Sequence, residues 1–153
     1  MKNEKLHIEA KLQILKPAEE VFEAIVDPAK MSNYFISFGS GRLEEGKVVN
    51  WRFPEFADEF PVHVHNVEKD KYISFYWGSE EKELLVEISL TPAQNNSTVV
   101  KVEEKEMNLD EAGIKWLKGN TEGWANFLAC LKAYLEYGIN LRMGAFDFMK
   151  SQQ

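Results

Sequence analysis

The feature that most constrains this chain is a change of hydrophobic period near residue 105. Before it, apolar residues recur at every second position. Leu6, Ile8, Ala10, Leu12 and Ile14 alternate with His7, Glu9, Lys11 and Gln13, the pattern of a strand with one buried face. Val49, Trp51 and Phe53 repeat it, as do Leu84, Val86, Ile88 and Leu90, and then Thr98, Val100 and Val102. After the change, Trp124, Leu128, Leu131 and Leu135 fall at i, i+4, i+7 and i+11, one stripe of an amphipathic helix. An antiparallel sheet with an apolar face needs a cover, and only this helix is long enough. The pattern predicts an α+β fold in which a curved antiparallel sheet of six to seven strands wraps a long C-terminal helix. A cavity lies between them unless side chains fill it.

The connections fit that plan. Pro17 stands where a first helical turn tolerates a missing N–H, and Glu19 and Glu20 suit the positive end of the helix dipole. Val21, Phe22 and Ile25 give that helix an apolar side, Asp27-Pro28 breaks it, and residues 28–33 start a second short helix. Residues 34–38 read as a short strand ended by Gly39-Ser40-Gly41, and residues 54–59 as an acidic loop. Further strands span residues 60–67 and 72–77, with a last hairpin loop at residues 92–96. Gly138 ends the long helix, and residues 139–149 are too apolar for a free tail. With no repeat or linker, residues 1–153 read as a single domain.

Charge narrows the partners. A net charge of -7 and a pI near 5.1 argue against nucleic acid, because phosphate binding needs clustered Lys and Arg. No run approaches the ~20 apolar residues of a membrane span, and the opening residues have no apolar segment of a secretory leader behind them. The sequence Asn95-Asn96-Ser97 is then an accidental match to a glycosylation site. A single cysteine, Cys130, excludes an internal disulfide. These features together predict a cytoplasmic protein.

Three segments resemble a known family. The run Lys16-Pro17-Ala18-Glu19-Glu20-Val21-Phe22-Glu23-Ala24-Ile25 is similar to the opening of the SRPBCC superfamily, the START-like and birch-pollen-allergen-like helix-grip proteins. Gly123-Trp124 followed by Leu128, Leu131 and Leu135 resembles the final helix of one branch, the homologues of the C-terminal domain of the activator of heat-shock protein 90 ATPase. Residues 66–77 resemble its central hairpin. The resemblance implies a START-like helix-grip domain with a hydrophobic cavity under the last helix, and a chaperone partner or stress-related role. It carries no catalytic motif onto this chain. The eukaryotic co-chaperones of that name also have a separate N-terminal domain that grips the chaperone, which this sequence does not match.

The candidate site is aromatic. Trp51, Phe53, Phe75 and Trp77 fall on strand faces assigned inward, and Trp124 opens the helix stripe. Large rings either fill a core or line a ligand cavity. With Val86 and Leu128 they form the expected ligand-binding set: Trp51, Phe53, Phe75, Trp77, Val86, Trp124 and Leu128. His63 and His65 share a strand face but alternate with Phe60, Val62 and Val64, so both are expected to face solvent, without a metal. Cys130 is expected beside the helix interface rather than acting as a nucleophile. The acidic runs at residues 55–59, 80–83 and 103–106 read as solvated faces. Gly39-Ser40-Gly41-Arg42 is a turn without the Lys-Ser/Thr of a phosphate loop. Arg52 points outward, whereas the direction of Arg142 is open.

The first expected function is non-enzymatic binding of a hydrophobic small molecule, a lipid or aromatic metabolite, with no cofactor. The alternatives are a co-chaperone-like interaction module and a cavity-based cyclase or hydrolase. Whether the chain forms a homodimer turns on where residues 139–149 pack.

Overall fold

The computed structural model describes residues 4–79 and 81–150. Its element order is β1 (Lys5–Ile14), α1 (Ala18–Val26), α2 (Pro28–Met31), β2 (Phe38–Gly39), β3 (Val48–Arg52), β4 (Phe60–Glu68) and β5 (Tyr72–Gly78). There follow β6 (Glu83–Ala93), a single 3-10 turn (Gln94–Asn96), β7 (Ser97–Asn108), α3 (Glu111–Tyr137) and α4 (Asp147–Lys150). All seven strands join one antiparallel sheet in the order β1-β7-β6-β5-β4-β3-β2. The first strand thus pairs with the last, while β2 to β7 form a meander. This is the helix-grip arrangement that the change of period predicts.

Register decides what faces inward. Ile8 lies opposite Glu104, Glu104 opposite Val86, Val86 opposite Phe75 and Phe75 opposite Val64. That row crosses five strands, and every member is buried. A second row runs from Leu12 through Val100 to Leu90. Helix α3 covers this face with Trp124, Phe127, Leu128 and Leu131. Burying a large apolar side chain contributes about 1.5–3 kcal/mol, so these rows and the helix stripe dominate the fold's stability.

The long helix starts well before its apolar stripe. The Asp110 side chain caps it by accepting from Gly113 N–H at 2.8 Å. Residue 113 must be glycine, since a Cβ there would lie 1.9 Å from the Asn108 carbonyl oxygen. At the other end Gly138 takes a left-handed φ of 67° and donates its N–H to Tyr134 O at 2.9 Å, a helix stop that favours glycine. Replacing Asp110 with Ala removes the cap and should cost about 1 kcal/mol. A urea midpoint lowered at unchanged slope is the expected readout, and an unmoved midpoint would show that strand β7 alone sets the helix start.

Three local expectations are corrected. Residues 34–38 do not form a strand. The N–H groups of Tyr34, Phe35 and Ile36 turn back to Met31 O and are thereby taken from any neighbouring strand, and all three side chains are buried. Only Phe38 and Gly39 pair, against β3. The second helix stops at Met31, and the last hairpin turn is confined to Gln94–Asn96 because β6 continues through Ala93. Among the expected segments, Met1 to Asn3 and Glu80 of the second acidic run lie outside the described residues.

Candidate functional site

Where β3, β4 and β5 meet the middle of α3, the interior is built of rings. Phe35 lies 4.8 Å from Phe127, 5.1 Å from Phe53 and 5.8 Å from Trp51, centroid to centroid. The chain of contacts continues from Trp51 to Phe75 at 5.4 Å, Phe75 to Trp77 at 5.6 Å and Trp77 to Trp124 at 5.3 Å. Most of these pairs meet edge to face, the arrangement ring quadrupoles favour.

A cleft of about 330 Å³ opens beside these rings. The sheet side supplies Phe53 and Trp77, the segment after α2 supplies Tyr34 and Phe35, and α3 supplies Asn120, Trp124, Phe127 and Cys130. Arg142, Phe146 and Met149 fold back from beyond Gly138 to form one rim. Of the seven residues expected from sequence, Phe53, Trp77 and Trp124 therefore stand at the cleft. Trp51, Phe75, Val86 and Leu128 are buried in the layer behind it.

The buried polar groups around the cleft are held internally, while Glu122 and Asn126 stand exposed at its rim. Glu104 is 1% exposed. Its Oε1 accepts from Trp124 Nε1 at 2.8 Å and from Asn120 Nδ2 at 3.1 Å, and its Oε2 from Trp77 Nε1 at 3.0 Å. One carboxylate thus ties the indoles of sheet and helix together. The Tyr34 hydroxyl donates to Ala24 O at 2.8 Å, and burial pushes its pKa well above the ordinary tyrosine value, with Tyr134 adding to the shift. Burial likewise raises the Cys130 thiol, with Arg142 pulling weakly the other way. That thiol stays protonated at neutral pH and is a poor nucleophile.

Arg142 and Glu55 form the second polar feature. The guanidinium donates through Nη2 at 2.6 Å and Nη1 at 3.3 Å to the two carboxylate oxygens, and both side chains are nearly buried. The same guanidinium lies over Phe146, Phe53 and Phe35 at 4.8, 5.1 and 5.8 Å, within the range of cation–π attraction. Arg142 therefore points inward, toward the cleft.

Two of the expected solvated acidic runs each contain a buried member. Glu55 leaves its run to meet Arg142, and Glu104 leaves its run because β7 turns it inward. His63 and His65 face outward, with His63 Nδ1 2.7 Å from Glu83. Arg52 lies outside near Glu59 and over Phe38, and Arg42 pairs with Glu23. Sequence reasoning missed Glu104 although its parity with Thr98, Val100 and Val102 marked it. It also missed Phe127, three residues after Trp124 on the same helix face. No sequence signal marked Phe35 or the Glu55–Arg142 pair.

Comparison with known proteins places this geometry. The crystal structure of the protein SSP2350 from Staphylococcus saprophyticus is 36% identical, with a TM-score of 0.79 over 90% of this chain and 96% of that one. The solution structure of the Aha1 dimer from Colwellia psychrerythraea matches at 19% identity and a TM-score of 0.74, over 87% and 98%. DynU16, a protein of the dynemicin biosynthetic locus, matches at 24% identity and 0.77 over 87% of this chain but only 48% of its own. These last two likenesses concern the fold alone. No curated protein matches the chain. Among the described residues no helix is long and apolar enough to cross a membrane. The family described as activator of Hsp90 ATPase homolog 1-like protein matches residues 16–136, and the chain belongs to it.

Proposed function

We propose that this protein is a non-enzymatic binding module that holds a hydrophobic small molecule, an aromatic metabolite or a lipid, between the sheet and α3. The observation that carries this reading is the ring-walled cleft whose buried polar neighbours are already paired. Phe35, Phe53, Trp77, Trp124 and Phe127 offer broad apolar faces, and rings supply contact area at low entropic cost. The volume sits at the small end of the roughly 300–1,000 Å³ range of ligand pockets. Acid–base chemistry needs a free acceptor or donor at the reacting atoms. Here both Glu104 oxygens, the Tyr34 hydroxyl and the Arg142 fork are engaged, and the Cys130 thiol is protonated. Holding a ligand is thereby favoured over transforming it.

Because Trp77 and Trp124 stand at the cleft, occupancy should change their emission. Titration with small aromatic probes is expected to give a saturable fluorescence change and a matching one-to-one adduct in native mass spectrometry. A flat titration up to millimolar probe, with no adduct, would remove this reading.

The family's description supports a second reading, a co-chaperone-like interaction module. Its test is a chaperone ATPase assay with the purified chain. No change in rate and no co-purifying chaperone would dispose of it.

A further inference from the structure

The rings at this cleft are not electrically neutral surroundings. Glu104 lies one hydrogen bond behind the wall, and its three donors, two indoles and an amide, are all neutral. Among the described residues no Lys, Arg or His pairs with it. A buried acidic group without a cationic partner acts strongly on its neighbours, because the protein interior screens weakly. Hydrogen bonding to such an acceptor also polarises the donor, enriching the π faces of Trp77 and Trp124. These two indoles lie 5.3 Å apart at an interplanar angle of 35°, and both line the cleft.

The remaining charges point the same way. The charged residues lining the cleft are Glu55, Glu122 and Arg142. Arg142 is matched by Glu55 through two hydrogen bonds, so Glu122 and the underlying Glu104 have no counter-charge there. The rim gives an independent indication. The Arg142 guanidinium is already packed against Phe35, Phe53 and Phe146, so the rings of this cleft accept a cation as a neighbour.

We propose that the ligand selected by this cleft is a hydrophobic cation, an aromatic or branched aliphatic body carrying an ammonium or quaternary nitrogen, with the nitrogen against the indoles of Trp77 and Trp124. This rests on the binding-module reading and adds the ligand's charge to it. Glu104 acts as a positioning residue that orients both rings and makes their faces attractive to positive charge. A neutral ligand of the same shape gains the apolar contact but not the cation–π attraction.

The test uses an isosteric pair, phenyltrimethylammonium and tert-butylbenzene, titrated into the full chain by calorimetry and tryptophan emission. The cation is expected to bind about tenfold tighter. The preference should persist in about 0.5 M salt, where attraction to the acidic surface is screened but the buried contribution is not. In E104Q, which keeps the side chain's shape and one acceptor oxygen, the preference should fall to near unity. The proposal is overturned by equal or tighter binding of the neutral compound, by a preference lost in salt, or by one unchanged in folded E104Q. If E104Q does not fold, the wild-type comparison in salt decides alone. If the neutral probe binds and the cation does not, only this proposal fails; if neither binds, the binding-module reading fails with it.

Discussion

Replacing Glu104 with Ala should lower folding stability by about 3–5 kcal/mol. The side chain sits in a row between Ile8 and Val86, where an apolar residue would ordinarily stand. Its removal leaves the Trp77 and Trp124 indole N–H groups and the Asn120 amide without their acceptor. An orphaned buried donor costs about 1–3 kcal/mol, and the vacated volume adds a cavity penalty. Trp124 and Trp77 donate to different oxygens, so Glu104→Gln keeps an acceptor for only one of the two indoles and should lose about 1–3 kcal/mol. Guanidinium denaturation of both variants measures the difference. A loss in Glu104→Ala smaller than in Glu104→Gln would show that the carboxylate is not the tie between sheet and helix.

Removing Arg142 should produce the second large effect. Arg142→Met keeps much of the side chain's length and apolar bulk but takes the guanidinium away from the buried Glu55 carboxylate. Breaking a buried ion pair from one side typically costs about 3–5 kcal/mol. Here the cost is capped near about 2–3 kcal/mol, because undocking the segment after Gly138 lets Glu55 reach water. Neutralising both sides, Glu55→Gln with Arg142→Met, should recover most of that loss. Denaturation midpoints give the cycle, and hydrogen exchange over residues 139–150 shows whether the segment has come loose. A single variant as stable as wild type, with protection of that segment unchanged, would mean the pair holds nothing in place.

The architecture was legible because it is written in periods. Alternation at residues 6–14, 84–90 and 98–102 and the stripe from Trp124 to Leu135 each report on a neighbour only a few residues away. The cleft was legible only in part, for reasons that differ by residue. Phe53 and Trp77 follow from face parity, and Trp124 from the helix stripe. Parity also pointed at Glu104, but its place among Glu103, Lys105 and Glu106 disguised it as surface. Glu55 sits in a loop, where no period applies, and its burial depends on a partner 87 positions away. Tyr34, Phe35 and Ile36 resemble a strand in composition. Their burial instead follows from the turn back to Met31, a hydrogen-bond pattern that residue types alone do not specify.

The close pairing of Trp77 and Trp124 has an optical consequence. Two indoles 5.3 Å apart and inclined at 35° are near enough for their electronic transitions to couple, adding a split band to the far-ultraviolet circular dichroism. That band overlaps the signal ordinarily read as backbone helix. A change in it on ligand addition or on altering Glu104 would therefore record a rotation of two side chains, even with every turn of α3 intact.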